Sequence, residues 1–316
     1  MFGKMMNSYY YGKSGKGDYR KEDLPKNRWQ LFWEMLRIRF AGLIRLNLMY
    51  AVAWLPVILV SLFSFMALYT GLIPVDGAGQ PIGQTAERLQ TTFSSVMYVW
   101  LFMLIPCILI TGPFTAGISF VTRNWARDEH AFIWSDFKDA VKENWKQALG
   151  ISAITSVMPL ILYVCWTFYG QMSAQSYFFI VPQMLATVLT LVWFMSLIYM
   201  YPLMVSYKLK FKDLLRNGVL LAIGRLPQSL GIRLLSWTPV AIAAIAVYFF
   251  NQTQWAMLGI LLYYLLIGFG LSRFIAASYS NAVFDRFINS RIEGAPVNRG
   301  LSQEDDDEDD DEGEEE

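Results

Sequence analysis

Histidine, cysteine and charge are all scarce in this 316-residue chain, which holds one His, two Cys and only 16% Asp, Glu, Lys and Arg. Cys107, Cys165 and His130 leave little for a disulfide framework or a His/Cys metal site. A soluble globular chain usually carries about 25% charged residues. With 55% hydrophobic residues and a mean hydropathy of +0.34, a membrane protein is the better expectation. Period-2 alternation, which a barrel would need, is missing too. Acidic residues are absent from every long apolar run: Leu46–Leu72, Phe93–Val121, Ile151–Tyr169, Tyr177–Val205, Leu234–Phe250 and Trp255–Ala277. Each is long enough to cross a hydrocarbon core of about 30 Å as a helix. Carriers driven by protons or sodium place Asp, Glu or His inside the membrane, so a proton-coupled carrier is not expected.

Catalytic signatures are missing as well. Gly12–Lys13–Ser14 ends like a phosphate-binding loop, but the pattern needs a glycine where Asn7 stands. His130 has no nucleophile motif near it. The reading is therefore no enzyme, no catalytic residue, no cofactor, no metal and no nucleic-acid partner. No cleavable leader is expected either, because residues 1–45 precede the first apolar run.

What is present is charge asymmetry. The formal net charge of zero hides 12 Asp/Glu in residues 301–316, which leaves 26 basic against 14 acidic side chains in residues 1–300. Of the Lys and Arg, 25 lie in the segments 1–45, 122–149, 206–233 and 273–300, and one, Arg88, lies in the segments between the other span ends. The positive-inside rule then places both termini in the cytoplasm. The architecture expected is all-α: a polytopic bundle of six transmembrane helices with amphipathic cytoplasmic loop helices. Residues 1–26 read as a disordered cytoplasmic tail, 27–287 as the membrane domain, and 288–316 as a disordered acidic cytoplasmic tail. Between Asn27 and Arg45, aromatics alternate with arginines, which suits an interfacial helix before the first span.

Proline and glycine mark candidate breaks or packing points: Pro106, Gly112, Pro113, Gly117, Pro202 and Pro227. Gly112–Pro113 beside Gly117 is either a break or re-entry point or, more simply, a packing kink. Arg273, near the end of the last span, is expected to snorkel to the inner headgroups. In the loop Arg123–Gln147, Ile133, Trp134, Phe137, Val141 and Trp145 predict one apolar helix face, with Ser135 as its cap. Lying against the bundle or lipid and docking on a partner are both open to it. In the next loop Leu214, Leu215, Val219 and Ile223 predict a second such helix, ended by Gly224 and Pro227.

Taken together, Gly112–Pro113–Phe114–Thr115–Ala116–Gly117, Val121–Thr122–Arg123, Phe132–Ile133–Trp134–Ser135–Asp136–Phe137 and Lys142–Glu143–Asn144–Trp145–Lys146–Gln147 resemble the YesL family. Tyr201–Pro202–Leu203, Leu214–Leu215–Arg216–Asn217, Ile223–Gly224–Arg225–Leu226–Pro227, Ser280–Asn281 and Phe284–Asp285–Arg286 extend the resemblance across roughly Leu31 to Phe287. It implies a multi-pass protein of the bacterial plasma membrane, in a family often encoded among carbohydrate ABC importers, sugar-responsive sensor kinases and polysaccharide-degrading enzymes. It supplies no catalytic residues. The outer loop Pro74–Thr92 and the acidic tail depart from shorter members.

The leading expectation is a non-enzymatic accessory or regulatory subunit of a carbohydrate ABC uptake system, in contact with lipid and with importer subunits. Its candidate partner contacts are Arg123, Arg127, Trp134, Asp136, Trp145, Lys146, Asn217 and Arg225. Two alternatives stand beside it: a permease or channel in its own right, though the Glu-Ala-Ala docking loop is missing, and a membrane partner of a sensor kinase. Glycines at 259, 268 and 270 allow close helix approach, and a homodimer stays open.

Overall fold

The computed structural model describes residues 25–74, 83, 85–250 and 252–302. Nearly all of the N-terminal tail, residues 75–82 of the outer loop and the acidic run 303–316 lie outside the described residues, and with them the expectation of disorder there. Among the described residues the chain is all-α. Its helices are α1 (Arg28–Ile38), α2 (Phe40–Leu72), α3 (Ala86–Trp125), α4 (Ile133–Ser173), α5 (Ile180–Ser206), α6 (Phe211–Gly224), α7 (Leu226–Phe250), α8 (Thr253–Tyr263) and α9 (Phe269–Phe287). A 3-10 turn at Tyr177–Phe179 leads into α5, and a π-helical turn at Tyr264–Gly268 joins α8 to α9. Six helices are long and apolar enough to cross a membrane: α2, α3, α4, α5 with its leading turn, α7, and the continuous α8–α9 rod.

Several helices outrun their apolar stretches. At 41 residues α4 is roughly 60 Å long, about twice the hydrocarbon thickness. The first expected loop helix is therefore not a separate element; it is the first third of α4. Nothing between Gln147 and Ile151 can stop a helix, since a lone Gly150 only weakens one. The start also differs from expectation. Asp136, not Ser135, satisfies the first turn, because its Oδ2 accepts the Phe132 N–H at 2.9 Å while the Ser135 hydroxyl donates to Asp136 Oδ1. The second loop helix, α6, is separate. It buries Leu214 and Ala222 and lays Gly218 against Met200, while Ile223 faces out. Gly224 is its last residue, and Pro227 stands in the first turn of α7, where its missing N–H costs nothing.

No break occurs at Gly112–Pro113, and α3 runs on as one helix. Pro113 has no N–H to offer the Leu109 carbonyl one turn earlier, but the Ser152 hydroxyl of α4 donates to that carbonyl at 2.8 Å. Ser152 can come so close because Gly112 has no side chain: a Cβ there would lie 2.6 Å from the Ala148 carbonyl oxygen and closer still to Ser152 Oγ. One turn further on, a Cβ on Gly117 would meet Val141 and Phe137 at 2.8 and 2.9 Å. Together these contacts lock α3 onto α4.

Two buried clusters share α9. One gathers Leu31 and Met35 of α1, Leu43, Leu46 and Tyr50 of α2, Ile118, Val121 and Trp125 of α3, and Phe274 and Ala277 of α9. The other gathers Ala148 and Ile151 of α4, Tyr199, Met200 and Leu203 of α5, Leu214 and Ala222 of α6, and Phe284 of α9. Both lie toward the end of the bundle that carries the two described chain ends, hereafter the base. Away from the base the helices expose Phe63, Phe102, Tyr177 and Tyr248. The fifth span is the loosest member: among its 25 residues only Ser229 is buried.

Residues 288–302, counted with the tail on sequence, return to the base. Ser302 N–H donates to the Pro25 carbonyl at 3.0 Å, and Leu301 packs against the first cluster. The α3–α4 connection beside them is a Schellman turn, with Glu129 N–H on the Asn124 carbonyl and Asp128 N–H on the Trp125 carbonyl. Asp128 holds the left-handed position, at φ 53°. Glycine takes that conformation without strain, so Asp128→Gly is expected to stabilise the protein by about 1 kcal/mol, a few degrees in thermal midpoint. Burial raises the Asp128 carboxyl above its ordinary value, against the pull of Arg39. A raised pKa means the folded state disfavours the charged form, a penalty absent in acid and present once pH exceeds that pKa. The gain on Asp128→Gly should therefore be larger at neutral pH than below the ordinary carboxylate range. Melting curves of both proteins across pH check this.

Candidate functional site

The base is held by a polar network whose members come from helices far apart in the chain. Asp285 of α9, buried to 9% exposure, pairs with Arg28 of α1. The same carboxylate accepts the Asn289 side chain at 2.6 Å and the Asn298 backbone N–H at 3.2 Å. Asn289 Oδ1 in turn accepts from the Tyr207 hydroxyl at 2.7 Å. Burial, reinforced by the Asp285 carboxylate, pushes the Tyr207 hydroxyl up to about 12, so it stays a neutral donor. A second knot centres on Glu129, which pairs with Arg127 at 3.4 Å, with Arg123 at 3.8 Å, and with Arg299 from the returning segment. Asn281 of α9 donates to the Arg123 carbonyl at 3.2 Å. Hydrogen bonds to the buried Asp285 carboxylate contribute about 1.5–3 kcal/mol each, and the pairs of the more exposed Glu129 contribute less. The network is a structural clamp.

This clamp divides the eight sequence-derived contact candidates. Arg123 and Arg127 are occupied by Glu129, and Asp136 holds the start of α4. Arg225 lies over the Phe287 ring at 5.3 Å, and Asn217 is half-buried on α6. Trp134, Trp145 and Lys146 remain exposed on the outer side of α4, the tryptophans at 68% and 47% and Lys146 resting 5.6 Å from the Trp145 ring. Eleven residues is close to three full helical turns, so both tryptophans stand on one stripe. Lys138 and Lys142 are exposed beside it. The predicted apolar face thus splits: Ile133, Phe137 and Val141 pack inward, while Trp134 and Trp145 face outward.

Arg273 does not reach outward as expected. Its guanidinium lies over the Tyr201 ring at 5.3 Å, and it lines an internal cavity of about 270 Å³ together with Arg233 of α7. Sequence reasoning placed Arg233 outside its apolar stretch and gave it no role. Asn47 was missed too, although a lone Asn inside an apolar run is a visible signal. It is fully buried on α2. Its amide nitrogen donates to the carbonyls of Tyr264 at 3.0 Å and Leu265 at 2.7 Å, and its Oδ1 accepts Gly270 N–H at 2.8 Å. The two carbonyls belong to the π turn, where the regular ladder is shifted, and Gly270 lies just beyond it in α9.

Among the described residues, no group of three or more His, Cys, Asp or Glu could hold a metal ion. Six helices long and apolar enough to cross a membrane, tied at the base by a polar clamp, define a multi-pass helical membrane protein. The sequence model of a family described as a protein of unknown function, DUF624, matches residues 93–166. That stretch takes in most of α3 and α4, with the Gly112–Ser152 joint, Glu129 and the exposed tryptophan stripe. No curated protein and no solved structure matches the chain.

Proposed function

We propose that this chain is a non-enzymatic accessory or regulatory subunit of a bacterial carbohydrate ABC uptake system, with its base in the cytoplasm of a plasma-membrane protein. The observation that carries the partner-binding part is the stripe of Trp134, Trp145 and Lys146 on the projecting part of α4. Tryptophan is enriched at the energetic centres of protein interfaces, and the stripe sits on a helix that packing at Gly112 and Gly117 holds rigid. The flanking lysines and the excess of Lys and Arg in the base segments support the cytoplasmic side. The uptake setting rests on the resemblance to the YesL family.

The test is copurification in mild detergent from native membranes, with crosslinking from positions 134 and 145. Trp134→Ala with Trp145→Ala is expected to cut recovery of importer subunits by about tenfold or more. Both side chains are exposed, so the thermal midpoint and membrane insertion should not change. Unchanged recovery would remove this surface from the proposal. Crosslinks to a sensor kinase instead would redirect it to that partner.

A further inference from the structure

Two cavities share a wall. The polar one, about 270 Å³, is lined by Tyr50, Arg233, Ser236, Ser272 and Arg273, among others. The apolar one, about 500 Å³, runs along α2 from Trp54 to Leu68 between the first, second and sixth spans. Trp54, Tyr264 and Phe269 line both. Together they make one elongated site with a cationic end and an apolar end.

The cationic end lacks a counter-charge. No Asp or Glu lines it, and no ion pair among the described residues includes Arg233 or Arg273. Arg233 spends one nitrogen on the Phe194 carbonyl, and its Nε is buried with no hydrogen-bond partner. Trp54, at the junction, likewise has a buried Nε1 without an acceptor. Two neighbouring guanidiniums beside apolar spans repel each other, and unpaired donors at such depth are costly. An acceptor-rich anion relieves both.

The apolar end says which kind of anion. Fourteen residues of helix separate Trp54 from Leu68, roughly 21 Å of rise, more than the half-thickness of about 15 Å of a bilayer core. Arg233 is seven residues into α7, roughly 10 Å from its base end. The cations thus lie near headgroup depth on the base side, and the apolar cavity leads from them through the bilayer centre toward the far side, where Leu68 and Met257 line it. The fifth span, with its single buried residue, leaves the chamber loosely walled on that side. We propose that this chamber binds an anionic phospholipid from the base-side leaflet, its phosphate between Arg233 and Arg273 and one acyl chain passing Trp54 into the near end of the apolar cavity, beside Ile58.

The test uses the purified full chain in a neutral detergent, titrated with dioleoyl-phosphatidylglycerol, dioleoyl-phosphatidylcholine or glycerol phosphate. Native mass spectrometry counts bound lipid, and melting curves give apparent affinity. Phosphatidylglycerol is expected to bind at one site and raise the midpoint; the zwitterionic lipid and the tail-less phosphate should do neither. Arg233→Gln with Arg273→Gln should raise the apparent Kd about 30-fold, at roughly a factor of five per lost arginine. Ile58→Trp fills the apolar end without touching the arginines, and should weaken phosphatidylglycerol binding by about tenfold even where the double variant folds poorly. Equal binding of both lipids would overturn the proposal. So would a full shift with glycerol phosphate alone, which would make the ligand a free anion, or phosphatidylglycerol binding that survives both variants.

Discussion

Replacing Gly112 by Ala is expected to lower the thermal midpoint in detergent by about 6 °C or more, at roughly 3 kcal/mol of lost stability. The added methyl would sit 2.6 Å from the Ala148 carbonyl oxygen, and backbone of a buried helix cannot swing aside as a side-chain tip can. The helices must part. Once they do, Ser152 loses its bond to Leu109, and the carbonyl that Pro113 leaves open has no donor in an apolar setting. Steric overlap and an orphaned acceptor therefore add at one joint. The matched control is Gly231→Ala on α7, where the new Cβ would meet nothing within 4 Å. That change should be neutral or slightly stabilising, since alanine is the better helix former. Equal midpoints for the two variants would mean that α3 and α4 are not joined this way.

Asn47→Leu is the second large effect, expected at about 2 kcal/mol. One amide serves two carbonyls of the π turn and the Gly270 N–H just beyond it, and hydrogen bonds between spans contribute about 0.6 kcal/mol each on average. Leucine keeps nearly the same volume, so the loss reflects unpaired polar groups rather than a void. Hydrogen–deuterium exchange separates local from global loss. Protection should fall first at Gly270 and across 264–268, with the α3–α4 pair unaffected. A uniform loss along the whole chain would instead make Asn47 a general packing residue.

How much of this could be read from sequence follows from what hydropathy measures. A run such as Tyr177–Val205 reports contact with lipid, so the number of spans and their order were legible. It does not report where a helix stops once it leaves the lipid. That is why the amphipathic stretch around Trp134 looked like an independent loop helix, whereas it is continuous with the third span. Periodicity grouped Trp134 with Phe137 because they are neighbours on a wheel, yet only Phe137 has a partner helix to face. The residues that hold the molecule together were visible only as types. Asn47 answers a π turn more than two hundred positions later, Ser152 answers a proline on another helix, and Glu129 collects three arginines of which one lies 170 residues away. No local pattern encodes such pairs. The Arg233–Arg273 chamber was hidden for a related reason. Each arginine sits near the edge of an apolar run, where snorkelling is the simple expectation, and only the packing of α7 beside α9 turns both inward to one cavity.

The union of Arg28 with Asp285, across 257 positions, also has a meaning in time. A chain is made from its N-terminus, so α1 emerges long before α9 and finds no anchor. Leu31 and Met35 are covered in part by Phe274, which is not yet synthesised when the first span inserts. Until the sixth span arrives, the ribosome-bound intermediate carries a greasy, arginine-rich helix with its docking place empty. Completion of the last helix and closure of the base are then the same event. A chain cut short before α9 bears an uncovered α1 at its other end, where a quality-control protease could recognise it.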